Sequence, residues 1–179
     1  MTDTDDITLS RNVLEMVAIA DEFCRMTEDS HKLNPDAFLK SLNSFSALLY
    51  LRGSLLPVIV PEYPEANERF VTEEQWENIF NVCRDKTGSH DVFYFLSSHD
   101  ALAESEKTSI AEGVADVYQD MKDFVVLFRK PQLAARENAV ASCRELFVHR
   151  WGPILARLMP VLHELNHQSA SGGVAEQLY

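Results

Sequence analysis

The stretch TSIAEGVADVYQDMKDFVVLFR, residues 108–129, restricts the fold more than any other part of the chain. Ile110, Val114, Val117, Met121, Phe124 and Phe128 recur at alternating steps of four and three, which puts them on one stripe of a helix; Tyr118 and Val125 widen it. On the other side, at the same spacing, lie Glu112, Asp116, Gln119 and Asp123, with Asp120 beside them. Such a helix must bury its seam against other elements. It predicts a bundle with residues 108–129 at the centre, and it raises the question of whether the acidic ladder faces water, a partner or a metal.

The rest of the chain supplies the neighbours. Leu9, Val13, Met16, Ala20 and Phe23 repeat at helical spacing, with Val17 and Cys24 broadening the seam, so a first helix runs from about Thr8 to Thr27. Asn34-Pro35 is a cap followed by proline at the first helical position, and it opens a second helix. Phe38, Leu42, Phe45, Leu49 and Leu56 form its main stripe. Leu48, Tyr50, Leu51 and Leu55 make its second half apolar nearly all round, which predicts burial on several sides. Pro57, Pro61 and Pro64 exclude helix from the connector that follows. Its Val58, Ile59, Val60 and Tyr63 predict that it lies across the bundle.

Thr72 and Gln75 form a capping box flanked by Val71 and Trp76 as a hydrophobic staple, and Thr87-Gly88 closes this third helix. The run DVFYFL has no decisive period. With no partner strand evident, helix is the preferred reading, and SSHDALAESEK reads as a polar linker into the central helix. After Lys130-Pro131 another helix runs through Val140, Cys143 and Phe147 to Trp151. Gly152-Pro153 interrupts the chain, and Leu155, Leu158, Leu162 and Leu165 give a last seam, bent at Pro160. Residues 1–7 and 168–179 read as flexible ends. The expected architecture is an all-α single domain of six or seven helices.

Charge narrows the choice of partners. A formal net charge of −12 opposes binding of nucleic acid or anionic membrane, both of which need Lys and Arg to neutralise phosphates. Three cysteines, far apart and never in C-x-x-C, indicate neither a disulfide framework nor a structural zinc site. The start MTDTDDITLS lacks the pattern of a signal peptide, and no apolar run has the length of a membrane span, so a cytoplasmic location is expected.

Three constellations are candidates for chemistry. His163, Glu164 and His167 fit H-E-x-x-H, in which two histidines one turn apart bind zinc and the glutamate activates water. The G-x-x-H extension that would bring a third ligand is absent, so an ordinary surface helix end is the simpler reading. Glu73, Glu77, Glu112, Asp116 and Asp120 form an acidic set on two helices, with Glu74 adjacent. It is reminiscent of helical nucleotide pyrophosphohydrolases, which hold Mg2+ or Mn2+ against a phosphate chain. Against this, acids in a first helical turn are stabilised by the dipole. Glu112 can complete a second capping box with Ser109, and Asp123 reads as a solvated residue. The third is Arg52, set in the apolar turn LLYLRGSLLP. It must meet a carboxylate or reach solvent through the gap at Gly53, and pairing with Asp116 or Asp120 would turn part of the ladder inward, next to Tyr118.

The segments LLYLRGSLLP, FVTEEQWENIF, ADVYQDMKDFV and CRELFVHRWG, followed by L-x-x-L-x-x-x-L-H, occur in an order that resembles the bacterial domain-of-unknown-function family five-zero-six-three. The resemblance runs from about Leu9 to His163. It implies a small all-helical protein of unassigned activity and transfers no catalytic residue. The expectation is a non-enzymatic accessory or interaction protein without a cofactor, binding an unknown protein partner; the alternative is a divalent-metal-dependent phosphohydrolase using the two acidic helices.

Overall fold

The chain folds, in a computed structural model that describes residues 6–96 and 104–171, as six helices and one hairpin. In chain order these are α1 (Arg11–Glu28), α2 (Pro35–Ser54), α3 (Glu73–Thr87), β1 (Val92–Leu96), β2 (Ser105–Ser109), α4 (Ile110–Phe128), α5 (Leu133–His149) and α6 (Trp151–Ser171). The class is all-α. α4 is the central helix and packs against α1, α3, α5 and α6, while α2 closes the bundle against α6 and α1. The predicted stripe of α4 is buried throughout, from Ile110 at 0% exposure to Phe128 at 8%.

Local chemistry sets several boundaries. Asn34 Oδ1 accepts from the Ala37 amide at 2.8 Å at the start of α2. Thr72 Oγ1 accepts from the Gln75 amide while Gln75 Oε1 accepts from the Thr72 amide, so the capping box of α3 is complete. Gly88 ends α3 at φ 53°, a left-handed conformation that favours glycine.

The DVFYFL run is a strand, not a helix. β1 pairs antiparallel with β2, in the register Val92↔Ser109, Tyr94↔Lys107 and Leu96↔Ser105. Its partner SEKTS is polar and gives no apolar alternation, so nothing local marks it as a strand. Asp91 fastens both ends of the excursion. Its carboxylate accepts from Thr87 Oγ1 at 2.9 Å, Ser109 Oγ at 2.6 Å and the Ala111 amide at 2.8 Å, and its carbonyl accepts from the Ile110 amide at 2.8 Å. Orphan amides at the start of α4 are thereby satisfied from outside the helix. Most of the predicted linker, residues 97–103, lies outside the described residues, as do 1–5 and 172–179; residues 168–171 continue α6.

Trp151 begins α6 instead of ending α5. It is fully buried, and its Nε1 donates to the Cys143 carbonyl at 3.0 Å. The ring fills the space that Gly53 leaves: a Cβ on Gly53 would come within 2.2 Å of it, so the gap at Gly53 is no route to solvent. α2 is also less buried than its composition predicts. Leu48, Tyr50, Leu51 and Leu55 are 38–51% exposed, because the bundle covers one side of the helix and, among the described residues, no second layer covers the other. No helix among the described residues is long and apolar enough to cross a membrane.

Candidate functional site

Asp116, Asp120 and Asp123 of the α4 ladder turn inward, held in part by two arginines that sequence reasoning did not single out, while Glu112 stays exposed. Asp120 is 3% exposed, and its Oδ1 accepts from Arg150 Nη1 at 2.8 Å and Arg69 Nη2 at 3.1 Å. Arg150 Nη2 also donates to Gln119 Oε1 at 3.1 Å and reaches Asp116 Oδ1 at 3.4 Å, and the same Asp116 oxygen accepts from Trp76 Nε1 at 3.0 Å. Asp123, read as solvated, is 8% exposed. Its Oδ1 accepts from the amides of Phe70 and Val71 at 2.7 and 2.9 Å, and its Oδ2 accepts from Arg69 Nε at 3.0 Å. The connector between α2 and α3 covers the face that a helical wheel assigns to solvent.

That connector does lie across the bundle, through its backbone and Ile59 more than through its other apolar side chains. Asn138 Nδ2 donates to the Tyr63 carbonyl at 2.8 Å, the Glu62 amide donates to Glu137 Oε2 at 3.3 Å, and Ile59, Phe70 and Val71 pack on the core. Val58, Val60 and Tyr63 remain exposed.

Desolvation dominates the electrostatics of the cluster. Burial pushes the Asp120 carboxyl up to about 6, against Arg150 and Arg69, which favour its ionised form, and with Asp116, which opposes it. Its Oδ2 is buried without a hydrogen-bond partner among the described residues. Cys143, on the same small cavity as Asp120, is held well above the usual thiol range by burial, as is Cys24, and Cys83 is pushed up to about 12. None of the three is poised as a thiolate nucleophile. The Tyr118 hydroxyl donates to Glu28 Oε1 at 2.8 Å, and burial followed by that bond raises its pKa.

Arg52 pairs with Glu15 of α1, not with Asp116 or Asp120. Packing of α1 on α2 brings that carboxylate to the arginine, whereas α4 lies across the core from it. The proposed metal set is likewise not assembled. Glu73 and Glu77 are exposed on α3, Glu112 is exposed with its amide on Ser109 Oγ, and Asp116 and Asp120 share Arg150. His163 and His167 stand one turn apart with ring centres 4.5 Å from each other, exposed, and Glu164 accepts from Gln168. No group of three metal-ligating side chains occurs among the described residues.

Sequence signals for the arginine pair are weak. Arg150 sits at the junction before Trp151-Gly152 and Arg69 in an irregular connector, so neither has a helical phase to point it at α4.

The family model described as domain of unknown function (DUF5063) matches residues 7–168, a span that takes in His167 as well as His163. Among solved structures, the crystal structure of protein BF1032 from Bacteroides fragilis is similar. It is 30% identical, the match covers 89% of this chain and 94% of that one, and the TM-score is 0.79. No curated protein matches the chain.

Proposed function

The chain belongs to the family described as domain of unknown function (DUF5063), and on that footing we propose that it is a non-catalytic interaction module. Its docking surface is the outer side of α2 together with the start of the connector. One observation carries this reading: Leu48, Leu51, Leu55, Val58 and Val60 follow one another along the chain and are exposed by 40, 51, 43, 70 and 87%. Leu48, Leu51 and Leu55 fall on one face of the helix, at steps of three and four. Contiguous exposed apolar surface of this kind typically marks a site for another protein. The inward-turned carboxylates support the same reading, since Asp116, Asp120 and Asp123 bind arginines and backbone amides that hold the fold together. A cytoplasmic setting suits three cysteines that are buried and unpaired.

Site-specific photo-crosslinking in the native host tests this. A crosslinker at position 51 or 60 is expected to capture one protein in stoichiometric yield, and a crosslinker at exposed Glu74 is not. Equal yields from all three positions, or capture unchanged by Leu55→Asp, would refute the docking surface.

A further inference from the structure

A cleft between the hairpin and the first turns of α4 carries chemistry that the α2 surface does not use. It is open to solvent, has a volume of about 280 Å³ and is walled by exposed Lys107 from β2, exposed Glu112 and half-buried Asp116 from α4, and exposed Arg157 from α6, with Phe93 and Ile154 adding apolar area. Glu112 and Asp116 are one helical turn apart, so their side chains share a face. Arg157 is already oriented: its Nε donates to the Pro153 carbonyl at 3.1 Å, and its guanidinium carbon lies 4.7 Å from the centre of the Phe95 ring. These contacts engage Nε and one face of the guanidinium. Among the described residues its terminal nitrogens have no other partner, and they offer the fork geometry that suits a carboxylate.

Ligands of a single charge fit these walls poorly. An anion that reached Arg157 and Lys107 would meet two carboxylates, and a metal cation drawn to Glu112 and Asp116 would meet a guanidinium and an ammonium. A molecule bearing one charge of each sign satisfies both sets. The volume is near the lower end for small-molecule sites, which begin at roughly 300 Å³, and so favours a metabolite over a nucleotide.

We infer that this cleft binds a free apolar α-amino acid. The ligand carboxylate lies on Arg157 and Lys107, its ammonium on Glu112 and on Oδ2 of Asp116, whose Oδ1 is held by Trp76 and Arg150, and its side chain lies against Phe93 and Ile154.

The test is an amide-resolved NMR titration of the full chain with L-leucine, L-methionine and L-phenylalanine. At least one is expected to shift the Thr108, Gly113 and Arg157 amides saturably, with a Kd below about 1 mM. Leucinamide, which lacks the carboxylate, and N-acetyl-leucine, which lacks the ammonium, are expected to bind at least about tenfold more weakly than leucine. Arg157→Ala and Glu112→Gln should weaken binding by a similar factor while amides remote from the cleft keep their positions, which shows that the fold is intact. No shift with any of the three amino acids at about 10 mM would overturn the inference. So would blocked derivatives that bind as well as leucine, or an Arg157→Ala protein that binds unchanged.

Discussion

Arg150 Nη1 lies 2.8 Å from Asp120 Oδ1, and this contact fastens the α5–α6 junction to the middle of α4. Removing the arginine leaves a carboxylate with almost no solvent. Because Arg69 Nη2 still donates to the same oxygen, Arg150→Ala is expected to cost about 2 kcal/mol, the range for losing one hydrogen bond to a buried charged group. Asp120→Asn in the same chain should recover more than half of the loss. A double-mutant cycle by urea denaturation at pH 7.5 measures the coupling, and additive losses would mean that the two side chains do not interact.

The same carboxyl makes stability depend on pH. Its folded pKa, about 6, lies above the unfolded value, so the folded state holds the proton more tightly. Stability from this group therefore rises as pH falls through 6 and levels off below the unfolded pKa of about 3.9. Relative to Asp120→Asn, the wild-type protein should gain roughly 1 kcal/mol between pH 7.5 and pH 5.0. Parallel pH profiles for the two proteins would assign the titration elsewhere.

Asp123 predicts local rather than global loosening. Because its Oδ1 accepts from both the Phe70 and Val71 amides, Asp123→Ala should speed hydrogen exchange at those two positions and cost about 2 kcal/mol through unpaired donors. Exchange within α1 should change only by the global loss. Protection retained at residues 70 and 71 would show that another group holds the connector.

Gly53→Ala inserts a methyl group 2.2 Å from the fully buried Trp151 indole and 2.7 Å from the Phe147 ring. A loss of about 2–3 kcal/mol is expected, with a change in tryptophan fluorescence that reports on Trp151. An alanine variant as stable as wild type would mean that α2 and α6 can move apart.

These variants separate what could be read from sequence and what could not. The starts of α2 and α3 were legible because Asn34-Pro35 and Thr72 with Gln75 act within a single turn. α4 was legible because its stripe is long and regular. The hairpin was not, since Val92–Leu96 lacks a period and pairs with a polar segment whose only strand-forming cue is the pairing itself. Arg52 is legible as an arginine in need of a carboxylate, yet which one it meets depends on helix order in space, and Glu15 is on the adjacent helix. The burial of Asp123 is not legible for a related reason: the helical wheel identifies its face, but only the path of the connector decides whether that face is wet. The same limit hid Arg69 and Arg150, whose guanidinium groups come from irregular backbone.

Asp91 gives the hairpin a degree of independence. The residue that ends the turn after α3 also receives the first amides of α4, so the bundle is closed at that point whatever lies between positions 92 and 109. Phe93 is the hairpin side chain that packs on the core, and the rest of the hairpin stands as a module on the scaffold. Grafting a loop of different length and sequence between Asp91 and Ser109 should leave the six helices folded and replace only the wall of the cleft.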